Sequence, residues 1–488
     1  MTLMPIALKT AISLGMLKRF LKDSLVYGMV NIVARGMPLL VLPVYALFFS
    51  PKDFGVIDLL TIITTLVKLT VAFEITQAVA RYFPQARFDR DKIAYASTAL
   101  WFSMIMYSTF VVVLLPFSKH LSALLLGSVE KKPILIIAIL TMWTEGMFNL
   151  FQNQLRYQLN AKRYAGITLL HALLSTGISF ILILAFHMGV IGVFYGSFIS
   201  GLVACTVASY WGGTNYHLTF DIEKCKQMLR FSLPLVPSSL AKFFFIYVDR
   251  ICIATLLGLE ALGVYGVSYR FAVIAGLFLA GVQVALTPLI YHHYKEPRTP
   301  DEIGIVFRYF VAAVLPLLLA LGLFSQDLLS FLAPGFHDAA PLIAWLGIGI
   351  LLSNMYIFAP GLSIAGKTRV IMMINILAAV LNGALNLLLI PLLGLLGAVL
   401  ATVISAFIAC ALHIHTSQAH YSIPYRWPLI AQAGSIGAVF WLLGNAMPLP
   451  VKGILWFLGT LLIICIILNS HDRALAVNAF RQLMNSRK

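Results

Sequence analysis

Acidic residues are scarce in this sequence: 18 aspartates and glutamates stand against 34 lysines and arginines in 488 residues, and charged residues of both signs make up only 11%. Soluble domains carry roughly 25% charge. With 60% hydrophobic residues and a mean hydropathy of +0.93, a water-soluble fold has too little polar surface to cover itself. Cysteine is also rare. Cys205, Cys225, Cys252, Cys410 and Cys465 fall mostly within apolar runs and show no CxxC or Cys/His spacing, so they read as small core residues, with neither disulfides nor a metal. No cofactor is implied by any spacing. The N-terminus lacks a short apolar stretch with a small-residue cleavage site, so insertion by the chain's own helices is expected. Met16 opens a basic segment of its own, which leaves Met1 and Met16 as alternative starts. A soluble basic face is missing as well, which removes nucleic acid as the partner for a formal charge of +16.

What the sequence does contain is apolar runs of about 20 residues, long enough to cross a hydrocarbon core of about 30 Å. Fourteen spans are predicted, at 24–48, 55–80, 94–115, 134–152, 164–186, 189–210, 231–257, 261–290, 304–325, 341–359, 370–390, 394–414, 428–446 and 452–469. Positive loops stay cytoplasmic. With the N-terminus inside, 23 lysines and arginines fall in inner segments and 5, Lys452 among them, in outer ones. Both termini are therefore expected in the cytoplasm.

The sequence repeats itself. Leu21, Ser24, Leu25, Ala46, Gly55 and Val56 match Leu229, Ser232, Leu233, Ala254, Gly263 and Val264 at an offset of 208, and Lys162, Gly189, Gly192, Ser200 and Cys205 match Lys367, Gly394, Gly397, Ser405 and Cys410 at 205. The expected fold is an all-α polytopic membrane protein of about 14 transmembrane helices: two six-helix parallel repeats, or lobes, plus two extra C-terminal helices. Six is an even number, so the repeats share orientation, the arrangement of transporters that rock two bundles. The expected organisation is a cytoplasmic N-terminal segment 1–23, an N-lobe 24–210, an inter-lobe linker 211–230, a C-lobe 231–415, helices 13 and 14 at 428–469 and a cytoplasmic tail 470–488.

Ionisable residues within spans are costly and tend to face a bundle interior or a watery cavity. At 100° per residue, Glu145, Asn149, Gln152, Arg156 and Asn160 form one stripe, as do Tyr27, Asn31, Arg35, Pro38 and Tyr45. Asp58, Thr61, Thr65 and Lys68 share a side of span 2, with Glu74 pointing the opposite way. Ser238, Ser239, Lys242 and Asp249 align in span 7, with Arg250 beside Asp249, and Asn375, Asn382 and Asn386 align in span 11. The alternative for such stripes is helix glue through ordinary interhelical hydrogen bonds, and Arg156 and Arg308 read as snorkelling. The candidate substrate-binding cations are Arg35, Lys68, Lys242, Arg250 and Arg270. Asp58, Glu145 and Asp249 are candidates for ion coupling or charge balance, and Asn31, Asn149, Gln152, Asn375 and Asn382 for a polar cavity stripe. Six cations against four carboxylates within spans suit an anionic group such as phosphate. Asp89-Arg90-Asp91 reads as a solvated charged loop, and His292-His293 and His413-x-His415 lack partners at metal-ligand spacing.

Tyr247-Val248-Asp249-Arg250-Ile251, followed by Gly258 and by Gly263-Val264-Tyr265-Gly266-Val267-Ser268-Tyr269-Arg270, resembles the Asp-Arg, Gly, Gly-x-Tyr-x-x-x-Tyr-Lys/Arg pattern of oligosaccharide flippases, often labelled polysaccharide biosynthesis proteins. Leu21 to Gly28 and Phe54-Gly55-Val56 are similar to the same family's first span and loop. The resemblance implies membership of the multidrug/oligosaccharidyl-lipid/polysaccharide exporter superfamily, with two six-helix lobes around a central cavity. It further implies a polyprenyl-diphosphate-linked sugar carried by alternating access from the inner to the outer leaflet of a bacterial cytoplasmic membrane. By motif it carries over only Asp249, Arg250 and Arg270. Expected partners are the lipid-linked glycan, membrane lipids, a coupling proton or sodium ion, and glycan polymerases or glycosyltransferases. A multidrug or cation antiporter would want a carboxylate-rich cavity and twelve spans. A membrane-bound polymerase would want a longer outer loop than 116–133, where Glu130 is the one acid.

Overall fold

The computed structural model describes residues 29–468 apart from 31, 32, 35 and 213–215. Among them are twelve helices long and apolar enough to cross a membrane, with a bent helix pair making a thirteenth. The fourteenth expected span is represented by the shorter α1, Gly36–Phe48; the first part of that span lies outside the described residues.

The chain divides into two compact units, residues 1–247 and 248–488. In the first unit, α1 is followed by α2 (Pro51–Thr70), α3 (Ile75–Gln85), α4 (Asp89–Leu114), the short α5 (Ser118–Leu126), α6 (Lys132–Tyr157), α7 (Ala161–Leu184), α8 (Gly189–Gly212) and α9 (Ile222–Ser232). The helix starts are written locally. Ser50 and Asp53 form a reciprocal capping box ahead of Pro51, Asn160 accepts from Arg163 N at 3.2 Å, and Asp221 accepts from Glu223 N and Lys224 N at 3.0 and 3.1 Å. Helices approach closely where side chains are small. Gly201 of α8 faces Thr144 of α6, where an added Cβ would come within 2.8 Å of the threonine, and a Cβ on Gly146 would enter the Tyr107 ring.

α10 (Val236–Leu256) runs across the division between the units. The second unit continues with α11 (Leu259–His293), α12 (Thr299–Leu323), the short α13 (Ser325–Leu332), α14 (Ala340–Asn354), the one-turn α15 (Gly361–Ile364), α16 (Thr368–Leu393), α17 (Leu395–Gln418), α18 (Trp427–Gly444) and α19 (Leu449–Ile467). The duplication is visible in the elements. α5 and α13 are equivalent short helices, each followed by a glycine of positive φ, Gly127 at 69° and Gly335 at 97°. α8 and α17 both open on a left-handed glycine, Gly189 and Gly394, each with φ 59°. A side chain is strained in that backbone, and so these glycines stand out in the sequence repeat.

One expectation needs correction. Span 2 is not one helix: α2 and α3 are bent by 46° about a break at Val71–Glu74, with Phe73 and Glu74 in left-handed backbone. Lys452, the first residue of the predicted span 452–469, lies in the first turn of α19, buried, with its Nζ 2.5 Å from Asp327 Oδ2 of α13. An aliphatic stem long enough to bury and a carboxylate at its tip let a lysine sit there.

Candidate functional site

In the first unit, three helices bring titratable side chains together. Lys68 Nζ of α2 stands 3.4 Å from Glu145 Oε2 of α6, and His171 Nε2 of α7 stands 3.2 Å from Glu145 Oε1. The imidazole stacks on Phe148, one turn along α6, with ring centroids 4.4 Å apart. Glu145 thus sits between two basic groups, which offset part of the cost of desolvating a carboxylate among packed helices. Further along the same α6 stripe, Gln152 donates to Thr168 Oγ1 of α7 at 2.7 Å, and Asn149 accepts from Asn153 at 3.0 Å. Asp58 is buried on α2. Lys242 lies on α10 with an exposed side chain. Arg35 and Asn31 lie outside the described residues. His171 was not among the expected site residues, although a lone histidine inside the predicted span 164–186 meets the same rule that picked out the others.

In the second unit the motif residues lock α10 to α11. Buried Asp249 accepts the Tyr265 hydroxyl in a short hydrogen bond, and its other oxygen accepts the Arg250 backbone N–H at 2.8 Å. The Arg250 guanidinium lies over the Tyr269 ring, 4.1 Å from its centroid. Tyr265 and Tyr269 are four residues apart and so share a face of α11. That spacing is why one side of α11 holds both members of the Asp-Arg pair. Arg270 follows on α11, half-buried. Asn382 of α16 donates to Thr402 Oγ1 and Ser405 Oγ of α17 at 3.4 and 3.1 Å and accepts from Asn386 at 3.1 Å, while Asn375 stands 3.3 Å from His413 Nε2. These α16 asparagines therefore join two adjacent helices.

The tripeptide Asp89-Arg90-Asp91 begins α4. Asp91 pairs with Lys224 of α9 at 2.9 Å, and Asp221 pairs with the same lysine at 3.3 Å. The Asp221 carboxyl is held below the ordinary aspartate range, chiefly by the backbone N–H of Lys224 that it caps.

A family profile described as "Polysaccharide biosynthesis protein" matches residues 20–293. The probable low-salt glycan biosynthesis flippase Agl15 of Haloferax volcanii is 21% identical over 418 residues, covering 84% of this chain and 86% of that protein. An uncharacterized membrane protein of Methanocaldococcus jannaschii, MJ1375, is 22% identical over 405 residues, covering 79% and 94%. Among solved structures, the lipid II flippase MurJ in an inward closed conformation superposes with a TM-score of 0.69 at 14% identity, covering 91% of this chain and 98% of that one. An inward-facing multidrug resistance MATE family transporter superposes with a TM-score of 0.64 at 18% identity, covering 80% and 94%. These two likenesses establish a common fold.

Proposed function

Because this chain belongs to the polysaccharide biosynthesis protein family, we propose that it flips a polyprenyl-diphosphate-linked oligosaccharide from the inner to the outer leaflet of a cytoplasmic membrane, by alternating access, for surface polysaccharide export. The chain is a multi-pass membrane protein of flippase or transporter type. The lipid-linked oligosaccharide as cargo draws support from the relative named as a glycan biosynthesis flippase.

Lys242 carries the argument about substrate charge. Its helix is apolar, its side chain is exposed, and among the described residues no hydrogen bond or ion pair reaches it. An ammonium left in hydrocarbon costs about 2.5 to 3.5 kcal/mol even on insertion scales, so such a lysine belongs against water or an anion. A diphosphate supplies that anion. On this reading Arg35, Lys68, Lys242, Arg250 and Arg270 bind the diphosphate or acidic sugars. Asp58, Glu145 and Asp249 balance their charge or take a coupling ion, and Asn31, Asn149, Gln152, Asn375 and Asn382 offer polar contacts to the sugars. Glycosyltransferases would supply the substrate and a polymerase would consume it.

The test is restoration of surface polysaccharide in cells lacking their own flippase, with membrane levels of each variant measured in parallel. Lys242→Arg retains more activity than Lys242→Gln if charge is the working property. Equal and full restoration by both at normal membrane levels contradicts the assignment of substrate charge.

A further inference from the structure

Residues 216–221, between α8 and α9, are neither helix nor strand, yet they do not leave the bundle. They lie along α4. The His217 backbone N–H donates to Ser97 Oγ at 2.9 Å, the His217 carbonyl accepts from Trp101 Nε1 at 3.1 Å, and the Asp221 N–H donates to Thr98 Oγ1 at 3.0 Å. Ser97, Thr98 and Trp101 stand one to two turns inside the apolar span predicted at 94–115, below the charged start of α4 at Asp89. Irregular backbone near the apolar layer has to be satisfied by protein groups, and the side chains of α4 do this. α9 follows along the same helix, where Tyr95 donates to Gln227 Oε1 at 2.8 Å.

The apolar side chains of this segment are left uncovered. Leu218 is 89% exposed, Phe220 46% and Ile222 56%, at alternate positions of the chain. Around them the surface is basic. The stretches 81–92, 156–163 and 216–230 hold 10 lysines and arginines against 4 acids. All of those acids are already paired: Asp89 with Lys92, Asp91 and Asp221 with Lys224, and Glu223 with Lys226. Arg87 and Arg90 at the start of α4 and Arg230 in the last turn of α9 are exposed, and among the described residues no ion pair reaches them. Arg81 lies over the Phe231 ring, 4.5 Å from its centroid, and Arg163 donates to Trp211 O at 2.7 Å; neither contact neutralises the cation. An exposed apolar row beside free cations, at the level where a span begins, is complementary to an anionic bilayer surface: apolar residues suit the acyl boundary and cations the phosphates.

We propose that this end of the first unit is a binding site for anionic phospholipid. Leu218, Phe220 and Ile222 enter the acyl boundary of the leaflet, and Arg87, Arg90 and Arg230 hold headgroup phosphates. By the excess of lysine and arginine, that leaflet is the cytoplasmic one. The ligand is bilayer lipid and not the cargo, so the site is tested without a carried substrate.

Two measurements on the purified full-length chain test it. Native mass spectrometry from detergent compares retention of phosphatidylglycerol with that of phosphatidylcholine. Wild type retains the anionic lipid in preference, and Arg87→Gln, Arg90→Gln and Arg230→Gln together, at an unchanged melting temperature, lower that preference by about fivefold per arginine. Lysine at the same three positions keeps it, because the charge stays. In phosphatidylglycerol liposomes a nitroxide is attached at Leu218→Cys, with the exposed Cys465 removed by Cys465→Ser. Oxygen dissolved in the bilayer should reach this label more readily than a water-soluble nickel complex does. Equal retention of the two lipids by wild type, or an unchanged preference in the glutamine variant, overturns the headgroup site. A label reached chiefly by the nickel complex overturns the membrane anchor and leaves Leu218, Phe220 and Ile222 to a soluble protein partner.

Discussion

The guanidinium carbon of Arg250 stands 4.1 Å from the centroid of the Tyr269 ring, while the preceding residue, Asp249, accepts the hydroxyl of Tyr265 one turn earlier on α11. The two tyrosines of the motif therefore each hold one member of the Asp-Arg pair. The motif that resembles the flippases is, in its geometry, a clasp between α10 and α11.

That clasp predicts an order of stabilities. Tyr269→Phe keeps a ring under the guanidinium and should melt close to wild type. Tyr269→Ala removes a cation–π contact of about 0.5 to 2 kcal/mol together with the packing of the ring. Thermal unfolding in detergent reads the difference, and equal melting of the two variants removes the contact from the account.

Tyr265→Phe leaves buried Asp249 without the phenol it accepts from. Losing one donor to a buried carboxylate costs about 1 to 3 kcal/mol, so the variant should unfold earlier. Adding Asp249→Asn should recover part of the loss, and a strictly additive double variant contradicts the coupling.

The Lys68–Glu145–His171 group makes a similar prediction in the first unit. Lys68→Met alone leaves half-buried Glu145 with only the histidine, and breaking such a pair from one side destabilises the fold by leaving a poorly solvated carboxylate short of a partner. Lys68→Met combined with Glu145→Gln should be the more stable of the two variants. Thermal melts that rank them the other way would show that the pair contributes nothing.

Gly146→Leu should be poorly tolerated, because the side chain would have to displace the Tyr107 ring. Overpacking of this kind costs about 1 to 3 kcal/mol. Gly434→Ala, at a glycine whose Cβ would meet open space, is the control and should melt like wild type.

Asp221 supplies the pH dependence. Its folded-state pKa is depressed, so its contribution to stability is present above the ordinary aspartate range and is lost as pH falls through the folded value. Wild type should therefore lose part of its stability below about pH 4, and Asp221→Ala should lack that part of the change while melting earlier by about 1 kcal/mol at neutral pH. Parallel pH profiles for the two proteins would contradict the cap.

Most of the fold was legible because a membrane span writes itself as about 20 apolar residues whatever the details of packing. The duplication was legible through glycines, since Gly189 and Gly394 keep a left-handed conformation that other residues strain to adopt. The break in span 2 was not. Val71, Ala72, Phe73 and Glu74 carry no helix-breaking signal, and the conformation is imposed by α4 and α6. A constant 100° per residue sets Glu74 opposite Thr65, but the count does not hold across a 46° bend. Within the candidate site, Lys68 and Glu145 were each selected for lying in a span, yet their pairing across 77 residues depends on helix packing that periodicity does not encode. The burial of Lys452 is illegible for the same reason, since it depends on Asp327, 125 residues away.

Movement of a lipid-linked oligosaccharide can be read in reconstituted membranes. The purified chain is placed in liposomes carrying a polyprenyl-diphosphate oligosaccharide, and exposure of the glycan to an impermeant glycosidase is followed with time. A flippase predicts that the glycan inaccessible in protein-free liposomes becomes cleavable when the protein is present, and that Lys242→Gln slows this more than Lys242→Arg. Glycan that stays protected in the presence of folded protein, together with uptake of a cationic drug by the same liposomes, would contradict it.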